Sequence, residues 1–263
     1  MGSTIKTRVL DCECIDSIYQ SLADITGIPL EGLNSFLSSF DIEAYYHSHP
    51  DCPLTGDDLM FEIIRDRYRE PYPIDFTSWF HLTRASASNK FEEGILTLNE
   101  GIDSIWEFLF FLLKGEFNKE HWVDFRKKVE TDMENYAAVM YRFKMKTPYA
   151  NGPFATLIKE LAFRTEETTY HDYLKAPEIV EDICVCFKET HGKDLLTKFI
   201  QNTKSCIVKF RVTGGKPNLI GTPLLYLYNT LHSRRMSPSC NRCFTGDGSR
   251  IPHESILKVE FLD

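Results

Sequence analysis

The sequence predicts an α+β protein. Two patterns carry that expectation. Helical periodicity dominates the chain, while strand-like runs are sparse in the middle and gather near the end. The clearest of those runs, "SCIVKFRV", is rich in β-branched residues, and "SILKVEFLD" closes the chain as a second. The 263 residues, 43% of them hydrophobic, supply a sizeable core for one large domain or for one domain with an accessory segment.

The elements follow in order. "CIDSIYQSLADITGI" places Ile15, Ile18, Leu22 and Ile25 on one helical face, and Gly27 and Pro29 end it. "LEGLNSFLSSF" is a second short helix. "GDDLMFEIIRDRYRE" is a third, with Asp57 or Asp58 at its cap and Leu59, Ile63 and Tyr68 facing inward. The prolines of "EPYPIDF" make an extended linker, so residues 1–73 read as an N-terminal helical segment and residues 74–263 as the main domain.

Beyond the linker, "SWFHLTR" is a strand and "KFEEGIL" a short helix stopped at Gly94. "EGIDSIWEFLFFLLKGEF" is an apolar helix, and one further helix runs through Trp122, Phe125, Val129, Met133 and Tyr136. Pro177 opens the next helix. "TGGKPN" reads as a hairpin turn, "TPLLYLYNTLHS" as strand or helix, and "TGDGSRIP" as the turn before the last strand.

Composition excludes several functions. A net charge of −8 argues against a generic nucleic-acid coat, which needs a basic footprint. No run is long and apolar enough to span a bilayer, and the N-terminus has no signal-peptide core, so a cytoplasmic protein without membrane attachment is expected. Eight cysteines are too few for a disulfide scaffold, and the single Cys240-x-x-Cys243 is half of a zinc site at most; free thiols and no bound metal are expected.

The most informative stretch is "WFHLTRASASNKFEEGIL". On a strand, His81 and Thr83 project to one face, where imidazole and hydroxyl can together hold a ribose. The bland alternative is a core histidine with a satisfied ring. Arg84, at the strand end, can meet a phosphate, although a solvated arginine is the default.

This stretch resembles the first motif of the ADP-ribosyltransferase superfamily, in the histidine-bearing branch that includes poly(ADP-ribose) polymerases and RNA 2'-phosphotransferases. There a strand with His and a hydroxyl residue leads to a short Phe-x-x-Gly-Ile/Leu helix, matched here by His81, Thr83, Phe91, Gly94 and Ile95. The resemblance spans about residues 78–263 and implies a split β-sheet core with helical insertions. It implies NAD as substrate, His81 and Thr83 on its ribose, and Phe154 or Tyr173 stacked on nicotinamide. It also implies Asp247, before the terminal strand, as the catalytic acid in place of the family's glutamate. The implied reaction is ADP-ribose transfer to a macromolecular acceptor, protein or nucleic acid. Kinship further implies a bacterial toxin or a phage-conflict protein with an antitoxin or inhibitor partner. The rival expectation is a non-catalytic module that senses NAD or a nucleotide, or an interaction protein built on the helices.

A second stretch, "YYHSHPDCPLTGDDL", is similar to the JAMM metalloprotease motif through His47, Ser48, His49 and Pro50, with Asp57 or Asp58 as the third zinc ligand. The alternative is a surface loop joining two helices, with an aspartate as a cap.

Overall fold

The structure is a computed structural model, described here for residues 6–147 and 150–262. Its elements run β1 (Val9–Leu10), α1 (Ile15–Thr26), α2 (Leu30–Ser39), α3 (Ile42–Ser48), α4 (Gly56–Arg67), β2 (Phe76–Ala85), α5 (Leu98–Leu112), α6 (Lys119–Thr131) and α7 (Tyr136–Lys146). They continue as β3 (Ala155–Thr156), α8 (Thr165–Thr168), α9 (Glu178–His191), α10 (Leu195–Asn202), β4 (Lys204–Thr213), α11 (Gly221–Leu231), β5 (Cys243–Phe244) and β6 (Ile256–Phe261). The class is therefore mixed helix and sheet. The described strands form one open sheet ordered β5-β3-β2-β4-β6, with β1 parallel to β2. No described helix is long and apolar enough to cross a membrane.

The chain divides into two compact units. Unit 1 holds residues 1–80, 156–170 and 210–243, and unit 2 holds 81–155, 171–209 and 244–263. The expected boundary at 73/74 lies inside unit 1. The division falls inside β2, because strands β2 and β4 each run from one unit into the other.

Unit 1 packs α1, α2, α4 and α11 through Ile18, Leu22, Leu33, Phe36, Leu59 and Leu224, all at most 2% exposed. The inward residue of α4 is Ile64 rather than Ile63, and Tyr68 is exposed. The ambiguous "TPLLYLYNTLHS" is a helix buried along nearly its whole length. "TGGKPN" is no hairpin: Gly214 N donates to Asp75 O, and the chain then turns into α11.

Unit 2 contains an aromatic core. Trp106 of α5 meets Trp122 and Phe125 of α6 edge-on, and its Nε1 donates to Tyr141 Oη of α7 at 3.1 Å. Burying these rings removes large apolar surfaces from water, and the bond to Tyr141 pairs the Trp106 indole N–H. The long helix expected through Tyr136 is broken. Asp132 Oδ1 accepts from the backbone of Glu134 and Asn135, and Asn135 caps α7 through Ala138 N. Met133 and Tyr136 are consequently exposed. Local carboxylate and amide caps here outcompete helix continuation.

"KFEEGIL" is likewise a turn, not a helix. Phe91 (φ 53°) and Gly94 (φ 82°) both take left-handed backbone, and Gly94 N donates to Phe91 O at 2.9 Å. A Cβ on Gly94 would lie 2.1 Å from Ile251 O, so the close pairing of Ile95 with Ile251 requires glycine.

Candidate functional site

One cavity of about 740 Å³ lies wholly within unit 2. Its wall includes the C-terminal half of β2, the Phe91–Gly94 turn, the start of α5 and the start of α9. Thr97 caps α5 in a reciprocal box with Glu100, which fixes the entry of that helix.

His81 is half-buried on this wall. Its Nδ1 lies 2.7 Å from Phe154 O. A carbonyl only accepts, so Nδ1 carries the proton. Burial lowers the ring's pKa below the ordinary histidine value, opposed only in part by the bond to Phe154 O. The neutral ring then leaves Nε2 as a lone-pair acceptor, and no hydrogen bond to it is formed among the described residues. The ring is thus neither a solvated side chain nor a fully satisfied core histidine. It retains one acceptor on a cavity wall.

Thr83, Phe154 and Tyr173 line the same cavity. Tyr173 packs edge-on to His171 at 4.7 Å, and His171 Nε2 donates to Ala176 O at 2.8 Å. Gly152 and Pro153 bring Phe154 to the wall. A Cβ on Gly152 would lie 1.9 Å from Thr245 O, so this segment packs backbone-to-backbone on the loop that carries Asp247.

Two expected site residues, the phosphate-binding Arg84 and the catalytic Asp247, are placed away from those roles. Arg84 touches the cavity wall, but all five of its N–H groups are engaged. They reach Thr203 Oγ1, Leu174 O, Ser205 Oγ, Ile200 O and Thr203 O at 2.7–3.0 Å. No donor is left for a phosphate, and the guanidinium instead ties β2 to the end of α10 and the start of β4. Asp247 is exposed in a left-handed turn (φ 46°), 3.3 Å from Thr245 Oγ1, and does not line the cavity. Its carboxylate is directed to its own loop.

Sequence reasoning missed a charged group at the opposite wall. Lys144 of α7 and Glu178, the first residue of α9, both line the cavity. Lys144 Nζ meets Asp182 at 2.6 Å and Glu178 at 3.8 Å, and Glu178 stands 3.9 Å from His171 Nδ1. Burial pushes the Asp182 carboxyl up, and the Lys144 bond opposes that shift. The only sequence signal was Glu178 directly after the helix-opening Pro177.

The His47–His49 pair makes no metal site. His47 lies in α3, where residues two apart face opposite ways, and its Nδ1 donates to Glu43 O. His49 ends that helix, stacks on Tyr45 at 4.3 Å and bonds Tyr45 O. Asp57 is buried and bound by Arg242 at 2.6 Å, by Thr55 and by Thr222; it does not cap α4, whose cap is Thr55. The metalloprotease expectation is overturned by this geometry. Among the described residues no three His, Cys, Asp or Glu side chains are placed to hold a metal ion, and all eight cysteines are free thiols.

Compared with protein-family models, with curated proteins and with solved structures, the chain matches none.

Proposed function

We propose that unit 2 binds NAD in this cavity and transfers its ADP-ribose to a macromolecular acceptor. The observation that carries the reading is His81, a neutral imidazole with Nδ1 held by Phe154 O and Nε2 left to accept from a ribose hydroxyl. Thr83 beside it offers a second hydroxyl contact, and the Phe154 and Tyr173 rings offer flat apolar surface for nicotinamide. The cavity volume is in the usual range for cofactor sites, about 300–1,000 Å³. An open mixed sheet with a histidine on a long strand is the coarse frame that the ADP-ribosyltransferase resemblance calls for.

In the proposed reaction the bond between ribose C1' and the pyridinium nitrogen breaks, and its electron pair leaves with neutral nicotinamide. An acceptor nucleophile attacks C1' and releases a proton. The positive charge that develops on the ribose favours a nearby carboxylate. Glu178 lines the cavity, whereas Asp247 does not.

A second reading, a domain that binds NAD without transferring from it, is favoured by the outward placement of Asp247 and by the full engagement of Arg84. One experiment separates the two. Labelled NAD is incubated with the protein and cell extract, beside His81→Ala, and NAD binding is followed by calorimetry. Label transfer by the wild type and its loss in the variant supports the transferase. Saturable binding without transfer supports the sensor. Absence of both rejects NAD as the ligand.

A further inference from the structure

We infer that unit 1 carries a separate oxyanion site, in which Arg234, Arg235 and Ser239 hold the phosphate of a small phosphomonoester. The site is a cavity of about 350 Å³ lying wholly within unit 1, between α3, the start of α4 and the segment that follows α11. Nothing in the ADP-ribosyl reading involves it.

The segment is built to present its arginines. After α11 ends, Ser233 takes left-handed backbone (φ 52°) and reverses the chain. Asn229, 7% exposed, pins the reversal from both sides. Its carbonyl accepts from Arg234 N at 2.8 Å, and its Nδ2 donates to Arg235 O at 3.3 Å. The backbone of two adjacent arginines is thereby fixed beside one cavity. An exposed loop with solvated arginines would need no buried anchor of this kind.

The donors are only partly used. Arg234 Nη1 meets Glu43 Oε1 at 2.8 Å, and Arg235 Nη2 donates to Glu166 O at 3.2 Å. No other hydrogen bond from either guanidinium, and none from the Ser239 hydroxyl, is formed among the described residues. Planar N–H pairs and a hydroxyl suit the tetrahedral oxygens of a phosphate, and a doubly charged group attracts the guanidinium more strongly than the single charge of Glu43. Glu43 then acts as the counter-ion that the ligand displaces. The wall also includes Ile42, Tyr46 and Leu225, beside the polar Asn229 and Ser237, and the apolar part fits a small apolar or planar group on the ester oxygen. The cavity is too small for a dinucleotide to lie inside it.

The test is calorimetric titration of the full chain with phenyl phosphate and, separately, inorganic phosphate. Phenyl phosphate is expected to bind saturably with Kd of about 1 mM or tighter, and more tightly than inorganic phosphate. Arg235→Gln should weaken it by about tenfold and Ser239→Ala by about threefold, while Glu43→Gln should strengthen it because the competing carboxylate is gone. Melting curves identify any variant that unfolds, and Ser239→Ala, which removes only a hydroxyl, decides the matter should Arg235→Gln do so. No saturable heat up to about 20 mM, or unchanged affinity in folded variants, overturns the site. Weaker binding in Glu43→Gln overturns the displacement. Equal affinity for the two phosphates overturns the assignment to an ester.

Discussion

Residues 41–58 and residues 78–95 carry similar raw material: histidine near hydroxyls, with carboxylates close by. In the first region a short helix absorbs both histidines, and an arginine and two threonines absorb the carboxylate. His47 and His49 bond carbonyls of the same helical segment, and Asp57 is closed off by Arg242 and two threonines. In the second a strand brings partners from far along the chain. Phe154 takes one nitrogen of His81 and leaves the other at a cavity, while three residues later Arg84 is wholly engaged. The lesson is that residue type marks a candidate, and unfilled hydrogen-bonding capacity at a concave surface distinguishes a site.

The strongest way to break this comparison is Arg84→Met. It removes five hydrogen bonds and leaves carbonyls and hydroxyls unpartnered, so urea unfolding should show a loss of about 3–5 kcal/mol. A loss under about 1 kcal/mol would mean that the guanidinium is free for other work. Asp57→Ala should cost about 2–3 kcal/mol by the same assay, because it leaves Arg242 and Thr222 without their shared acceptor. Wild-type stability after that change would argue against a structural Asp57.

His81→Gln tests the cavity with a smaller stability effect, about 1 kcal/mol, and a larger effect on ligand. Its pH dependence has a definite sign. The folded pKa is below the unfolded one, so between them the unfolded chain binds more protons. The stabilisation from neutral His81 is complete above the unfolded value, near 6.5, and falls as pH drops toward the folded value. Melting temperatures measured from pH 7.5 to about 5 should therefore fall more steeply for wild type than for His81→Gln. Parallel curves would place the ring in water. The smallest effect belongs to His47→Ala and His49→Ala, each expected within about 0.5 kcal/mol and without change in zinc content. Loss of stoichiometric zinc in either would reinstate a metal site.

Much of the framework was legible in the sequence, for local reasons. The strand around His81, the helix after Pro177 and the terminal strand all announce themselves through periodicity, proline and β-branching. The break at Asp132 is also written locally, as Asp and Asn in cap positions, but the helical apolar spacing runs on across it and masks that signal. The site was legible only in part. His81, Thr83, Phe154 and Tyr173 reach one cavity, yet the partners that complete Arg84 lie 90–121 residues away in sequence. No local pattern reports such pairing. Nor does any local pattern show that the Asp247 loop packs its backbone on Gly152 while its carboxylate turns outward.

The bond from His81 to Phe154 O also limits what the ring can do. A histidine that works as a proton relay passes its second proton to a base, or leans on a carboxylate while it is charged. Here the ring's one proton stays on Nδ1 and is donated to a peptide carbonyl, which does not take it, and burial resists the imidazolium. The ring can therefore hold a hydroxyl in place but is a poor shuttle. The proposed transfer would therefore proceed by ionisation of the bound ligand, or recruit its base from elsewhere on the wall.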